Sequence, residues 1–352
     1  MARRLHLHIG LPKTGTTYLQ QVVWAHRDRL LDDGMLVPGR GHRDHLWAAL
    51  AAQGRRGLKR RHPDAPKAWD RLADEIRRWD GDALVTHEFF CAAGEDDVAR
   101  LVEQVAPARV EVVVTARDPL AMLTAGWQEL VKNGSTVAAR DAGRPRAASP
   151  EFSWRTWDLH GVLRRWSAVV PPEQVHVLVL PGRDEPPEQH WRNFAATVGI
   201  RPDLPLPDRA ANPSLGVVQV ELLRRVNEHL DAFHSPTDRG TWIRGQLAER
   251  FLAEQGGEPF TMPAELVEQC RTRGRRARRL LREQPFDVVG DVRRLSVPDE
   301  MPARRTPEQV GDAELVDASG ALVAVMLAAV RDSGRGPIGA TSQSRTASDF
   351  PT

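Results

Sequence analysis

Lys13, Thr14, Gly15, Thr16 and Thr17 stand just beyond Gly10, so one lysine, three hydroxyls and two glycines fall within eight residues. These are the materials of an anion site: glycine lets the main chain approach a phosphate, and the free N–H groups at a helix start bind it. The spacing from Gly10 to Gly15 matches the nucleoside-triphosphate loop GxxxxGK[ST], but Thr16 occupies that loop's lysine position and Lys13 lies two residues before Gly15. A second cation, Arg117, follows the apolar run VEVVVT at 110–115, and its planar fork suits phosphate oxygens. A third group, His87-Glu88, follows ALVT at 83–86 and offers two proton acceptors. Histidine titrates near 6.5 and glutamate near 4.3, which ranks His87 above Glu88 as a base at neutral pH. Alternation along a strand sends the two side chains to opposite faces, so one would face the anion and the other would cap the next helix.

These groups need strands behind them. Residues 5–9 alternate Leu, His, Leu, His, Ile as a strand does; 83–86, 110–115 and 175–180 are further short apolar runs, and helical segments are expected at 17–31, 69–79, 96–105, 188–198 and 215–230. Strands alternating with helices predict a parallel sheet, and ligands bind outside the carboxyl ends of such strands, where the three groups fall. The expected fold is α/β: a P-loop-like open parallel sheet flanked by helices, with a C-terminal helical extension. The expected division is a core over 1–230, a helical extension packed on it over 231–335, and a tail of disordered composition over 336–352.

The string PKTGTT at 12–17 resembles the 5′-phosphosulfate loop of sulfotransferases that use 3′-phosphoadenosine 5′-phosphosulfate (PAPS). The resemblance covers 1–230 and implies that Pro12, Lys13, Thr14, Gly15, Thr16 and Thr17 cradle the donor, with Lys13 on the bridging oxygen that departs. TARDPLAMLTAGWQELVKNG at 115–134 resembles the family's 3′-phosphate motif, in which an arginine after the strand and a serine eight residues on grip the phosphate. Arg117 takes the first role; the second position is Ala125, with Thr124 beside it as the substitute. VTHEF at 85–89 resembles the strand end that carries the catalytic histidine in cytosolic members, while other branches use a glutamate nearby, so His87 and Glu88 both stand as candidates. The implied reaction moves a sulfuryl group from PAPS to a hydroxyl of a carbohydrate, lipid or secondary metabolite, with no metal. The alternatives are an ATP-dependent small-molecule kinase of the P-loop fold, against which the missing GK[ST] lysine counts, and a catalytically degenerate nucleotide-binding protein, which Ala125 favours.

Composition agrees with a globular enzyme: 352 residues, 41% hydrophobic, 27% charged, and a net charge of +2 that does not suggest nucleic acid. Only four of 49 basic residues are lysines, at 13, 59, 67 and 132, a bias of GC-rich coding as in soil actinobacteria. Cys91 and Cys270 form no ligand cluster. A strand beginning within five residues of the start leaves no room for a signal peptide, and no apolar run of about 20 residues suggests a membrane span, so a cytoplasmic location is expected. Three features remain outside the motifs. The polar segment 133–157 could form a lid with Trp154 and Trp157 as stacking surfaces, or a plain surface loop; His42 and His45 could line the acceptor pocket or cap a helix; and the basic run 271–282 reads as a solvated helix face.

Overall fold

The computed structural model describes residues 1–144, 152–182, 184–207 and 214–333. The expected tail at 336–352 and part of the 133–157 segment lie outside the described residues. In chain order the elements are β1 (Arg4–Gly10), α1 (Thr16–Ala25), α2 (Arg27–Asp32), β2 (Met35–Leu36), α3 (His42–Ala52), α4 (Leu58–Arg61), α5 (Ala68–Arg78), β3 (Asp82–Thr86), α6 (Glu95–Val105), β4 (Arg109–Ala116) and α7 (Pro119–Lys132). They continue with α8 (Trp154–Trp157), α9 (Leu159–Ser167), β5 (Val175–Val179), α10 (Gln189–Val198), α11 (Val217–Val226), α12 (Pro236–Asp238), α13 (Ala264–Glu283), β6 (Asp287–Val289) and α14 (Asp312–Asp332).

All five strand pairings are parallel, in the order β2-β3-β1-β4-β5-β6. The chain leaves β1, builds β2 and β3 on one side, then crosses to β4 on the other, so the switch point lies at the carboxyl end of β1. Every residue of β1 after Arg4 is buried, as a central parallel strand covered on both faces requires. His6 and His8 are therefore interior groups. On one face Leu84, Val113 and Leu178 pack with Leu19, Val22 and Val23 of α1 and Trp191 and Phe194 of α10. Each such buried aliphatic or aromatic side chain contributes roughly 1.5–3 kcal/mol.

The chain forms two compact units, and the boundary differs from the expected one. The first comprises Met1–Leu130, Val137–Ala211 and Thr261–Ala303; the second comprises Val131–Thr136, Asn212–Phe260 and Arg304–Thr352. Residues 264–303 thus belong with the sheet: β6, a three-residue strand, pairs with β5, and α13 packs Gly274 so closely on the Leu295 carbonyl that a Cβ there would lie 2.6 Å from it. The expected helix over 17–31 is two helices, parted at His26.

In the second unit, Asn227 donates to the carbonyls of Val131 and Ser135 at 2.8 and 3.0 Å, and a π-helical segment spans Arg239–Leu252. Its α14 overturns the expectation about apolar runs: by length and composition it could cross a membrane, and only 11% of its most apolar window is buried. Asp317, Ser319 and Gly320 interrupt the apolar lettering, which conceals the run in the sequence.

Candidate functional site

The loop that joins β1 to α1 contains three left-handed residues, Gly10 (φ 75°), Lys13 (φ 65°) and Gly15 (φ 78°). For glycine this conformation is cheap; for Lys13 it is strained and must be held by the surrounding structure. Gly10 also has no room for a side chain, since a Cβ would lie 2.5 Å from Cβ and 2.8 Å from Cα of Glu88. The loop therefore sits directly against the end of β3. The N-terminus of α1 carries no side-chain cap, and its first bonds run from Tyr18 and Leu19 to the Gly15 carbonyl, so the amides of Thr16 and Thr17 precede the helical ladder. Gly15 and Thr17 are exposed, Thr16 and Pro12 are buried, and His190 of α10 closes on the loop, with Nε2 2.9 Å from where a Gly15 Cβ would be.

Thr14 turns its hydroxyl inward. It is fully buried, donates to the Leu11 carbonyl at 2.5 Å and lies 2.6 Å from Thr115 Oγ1, so only its main chain is left for the anion. Arg117, just past β4, donates to the carbonyl of Lys13 at 3.2 Å, which brings the second cation to the loop. Thr124 points its hydroxyl at the Leu120 carbonyl, 2.8 Å away, and its one proton is spent on its own helix. The Lys13 ammonium is 2.9 Å from Glu129 Oε2, on the helix that follows Arg117. Glu129 went unnoticed in the sequence; its place three turns along α7 from Arg117 gives no signal until the loop is docked.

The two proton acceptors part company. His87 is buried, and its Nδ1 accepts the Phe89 amide at 3.1 Å, capping the short 3-10 turn Glu88–Ala92. That bond leaves the ring proton of neutral His87 on Nε2, and burial holds the ring's pKa below its ordinary value. Glu88, partly exposed, reaches α1, where its Oε2 accepts from Gln20 at 2.9 Å; it stands 3.9 Å from His87 Nδ1. In this geometry the histidine caps the 3-10 turn and the carboxylate faces the helix that follows the loop.

His45 does not line a pocket. It is fully buried, its Nε2 donates to the Pro38 carbonyl at 2.9 Å, its Nδ1 accepts the Thr86 amide at 3.1 Å, and burial lowers its pKa to about 4. It clamps the end of β3, whereas His42 is exposed at the start of α3. Trp157 is a core residue against Gly126, where a Cβ would meet the indole at 2.4 Å, and Trp154 lies under the Arg273 guanidinium, 4.0 Å from the ring centroid. Neither is an open stacking surface. The basic run is partly internal as well, with Arg273 bonded to Asp158 at 2.6 Å and Arg278 to Ser296 at 2.8 Å. Among the described residues no group of three or more His, Cys, Asp or Glu is arranged to hold a metal ion.

No protein-family model and no curated protein matches the chain. Among solved structures, a sulfotransferase from Alicyclobacillus acidocaldarius matches at 19% identity and a TM-score of 0.41, over 69% of this chain and 96% of that one.

Proposed function

We propose that the protein is a PAPS-dependent sulfotransferase that sulfates a hydroxyl of a small-molecule or glycan acceptor. The observation that carries this reading is the convergence at the switch point. Lys13 lies in the loop after β1, Glu88 bonds the helix that follows the loop, and Arg117 bonds the loop's own main chain. The amides of Gly15, Thr16 and Thr17 and the Thr17 hydroxyl would hold the 5′-phosphosulfate, and Arg117 the 3′-phosphate. Thr124 would have to turn from Leu120 to assist, so Arg117 carries that end.

In the reaction the acceptor oxygen attacks sulfur while the bond from sulfur to the bridging oxygen breaks, and the electron pair leaves with the 3′,5′-bisphosphate. Glu88 takes the acceptor proton, and Lys13 stabilises the charge that develops on the leaving oxygen. Glu129 holds the Lys13 ammonium when no donor is bound, so donor entry must draw Lys13 from one anion to another. The kinase reading lacks a lysine after Gly15. Thermal shift tests the choice: adenosine 3′,5′-bisphosphate at about 100 times its Kd should stabilise the protein by about 2.7 kcal/mol, and ATP with magnesium at the same concentration by much less. The reverse order would favour the kinase.

A further inference from the structure

Beneath the loop, four side chains from three strands and the loop form a continuous buried chain. Register explains their meeting: His8 pairs with Thr86 across β1 and β3, and Thr115 lies two residues beyond Val113, the β4 partner of His8, so all three share the sheet face covered by α10. His8 Nδ1 is 2.8 Å from Thr86 Oγ1 and its Nε2 is 3.3 Å from Thr115 Oγ1; Thr115 Oγ1 is 2.6 Å from Thr14 Oγ1, which contacts the Leu11 carbonyl.

Counting protons fixes the direction of every link. A carbonyl only accepts, so the single Thr14 proton goes to Leu11 and Thr14 Oγ1 must accept from Thr115. The Thr115 proton is then spent, so His8 Nε2 must carry the hydrogen that Thr115 receives. Full burial holds His8 neutral, with its pKa lowered to about 3, so Nδ1 is bare and accepts the Thr86 hydroxyl proton. The chain runs one way, from the end of β3 through His8 and the end of β4 into the phosphate loop. Leu11 also donates its amide to the Thr115 carbonyl at 2.7 Å, and the His87 amide is given to the His8 carbonyl at 3.0 Å, so main-chain bonds tie the same points.

We propose that His8 is a positioning residue: through the directed chain Thr86, His8, Thr115, Thr14, Leu11 carbonyl it sets the depth of the phosphate loop and its spacing from the Glu88-bearing end of β3. The chain turns the Thr14 hydroxyl inward and its main chain outward, and it spans the gap that donor and acceptor must bridge. This inference deepens the sulfotransferase reading and rests on it for the identity of the anion, though not for the chain itself.

The test has one arm without ligand and one with. In protein labelled with 15N-histidine, His8 should show the Nε2–H tautomer with a bare Nδ1, unchanged from pH 8 to pH 5; a proton on Nδ1 would overturn the proposal. Thr115→Val, nearly equal in volume, should weaken binding of adenosine 3′,5′-bisphosphate about tenfold, the scale of one hydrogen bond, and Thr115→Ser should restore it to within about threefold. Wild-type affinity in Thr115→Val would equally overturn it, because a merely structural threonine lowers the melting temperature without moving the affinity of the folded protein. Should Thr115→Val not fold, His8→Gln, which keeps one donor and one acceptor, is compared with His8→Leu, which keeps neither. If the wild-type protein takes up no bisphosphate, the donor reading fails and the chain is judged on the tautomer alone.

Discussion

Lys13 holds a backbone conformation that lysine rarely takes and places its ammonium 2.9 Å from a buried carboxylate. A strained residue with a parked charge is suited to a step in which that charge must move. Glu129→Gln, which removes the competing charge, should tighten donor binding several-fold in calorimetry; unchanged or weaker binding would mean that Glu129 orients Lys13 and does not compete for it. Glu88→Gln should lower kcat on the order of 10²-fold with donor affinity nearly intact, while His87→Asn, which still offers an acceptor to the Phe89 amide, should keep kcat within about threefold. The opposite pattern would return the base to His87. That Lys13, Arg117 and the His87-Glu88 pair each stand just past a strand end was legible in the sequence, because each follows an apolar run. The different surroundings of the pair were not, because they depend on the Phe89 amide and on Gln20, contacts that form only when β3 ends in a 3-10 turn. The inward turn of Thr14 was hidden for the same reason, since Thr115 lies 101 residues away.

Elements were readable where the pattern was long. The strands at 83–86, 110–115 and 175–180 and the helices at 69–79, 96–105 and 188–198 lie within a residue or two of β3, β4, β5, α5, α6 and α10. Two-residue β2 and three-residue β6 are too short to leave a period, and β6 is a strand because β5 offers it an edge. The histidines of β1 are buried with their apolar neighbours, because a central parallel strand has no outer face. That burial has a cost that pH exposes. Burial lowers the folded pKa of His8 to about 3 and of His6 and His45 to about 4, against 6.5 unfolded, so the unfolded chain binds more protons as pH falls. Stability should be flat above pH 7 and fall as pH drops below 6.5 toward 4, by about 1.4 kcal/mol per pH unit for each histidine. Urea denaturation at pH 7, 6 and 5 measures it, and His6→Leu should flatten the slope by one proton's worth; a slope unaffected by His6→Leu would contradict its burial as a neutral ring. On α7, Gly126→Ala would drive a methyl into the Trp157 indole and should cost roughly 1–3 kcal/mol, read as a lowered urea midpoint. No loss would mean that the indole moves freely.

At the scale of the molecule, the motifs of 1–130 sit in one unit whose sheet is completed by 261–303, a segment that composition alone assigned to a helical extension. Arginine-rich α13 reads as a solvated helix, and its place in the first unit follows from long-range packing of Cys270, Gly274 and Ala277 that no local pattern announces. The account rests on the donor site being built for a nucleotide with a 3′-phosphate, gripped by Arg117 and the loop without a metal, so binding should survive EDTA. Calorimetry with adenosine 3′,5′-bisphosphate, adenosine 5′-monophosphate and ATP with magnesium, on the wild-type protein and Arg117→Ala, tests this most directly. The bisphosphate should bind at least tenfold more tightly than either other nucleotide, and Arg117→Ala should bring it down to the monophosphate's affinity while leaving the monophosphate within about threefold. Tighter binding of ATP with magnesium, or equal losses for bisphosphate and monophosphate in Arg117→Ala, would contradict it.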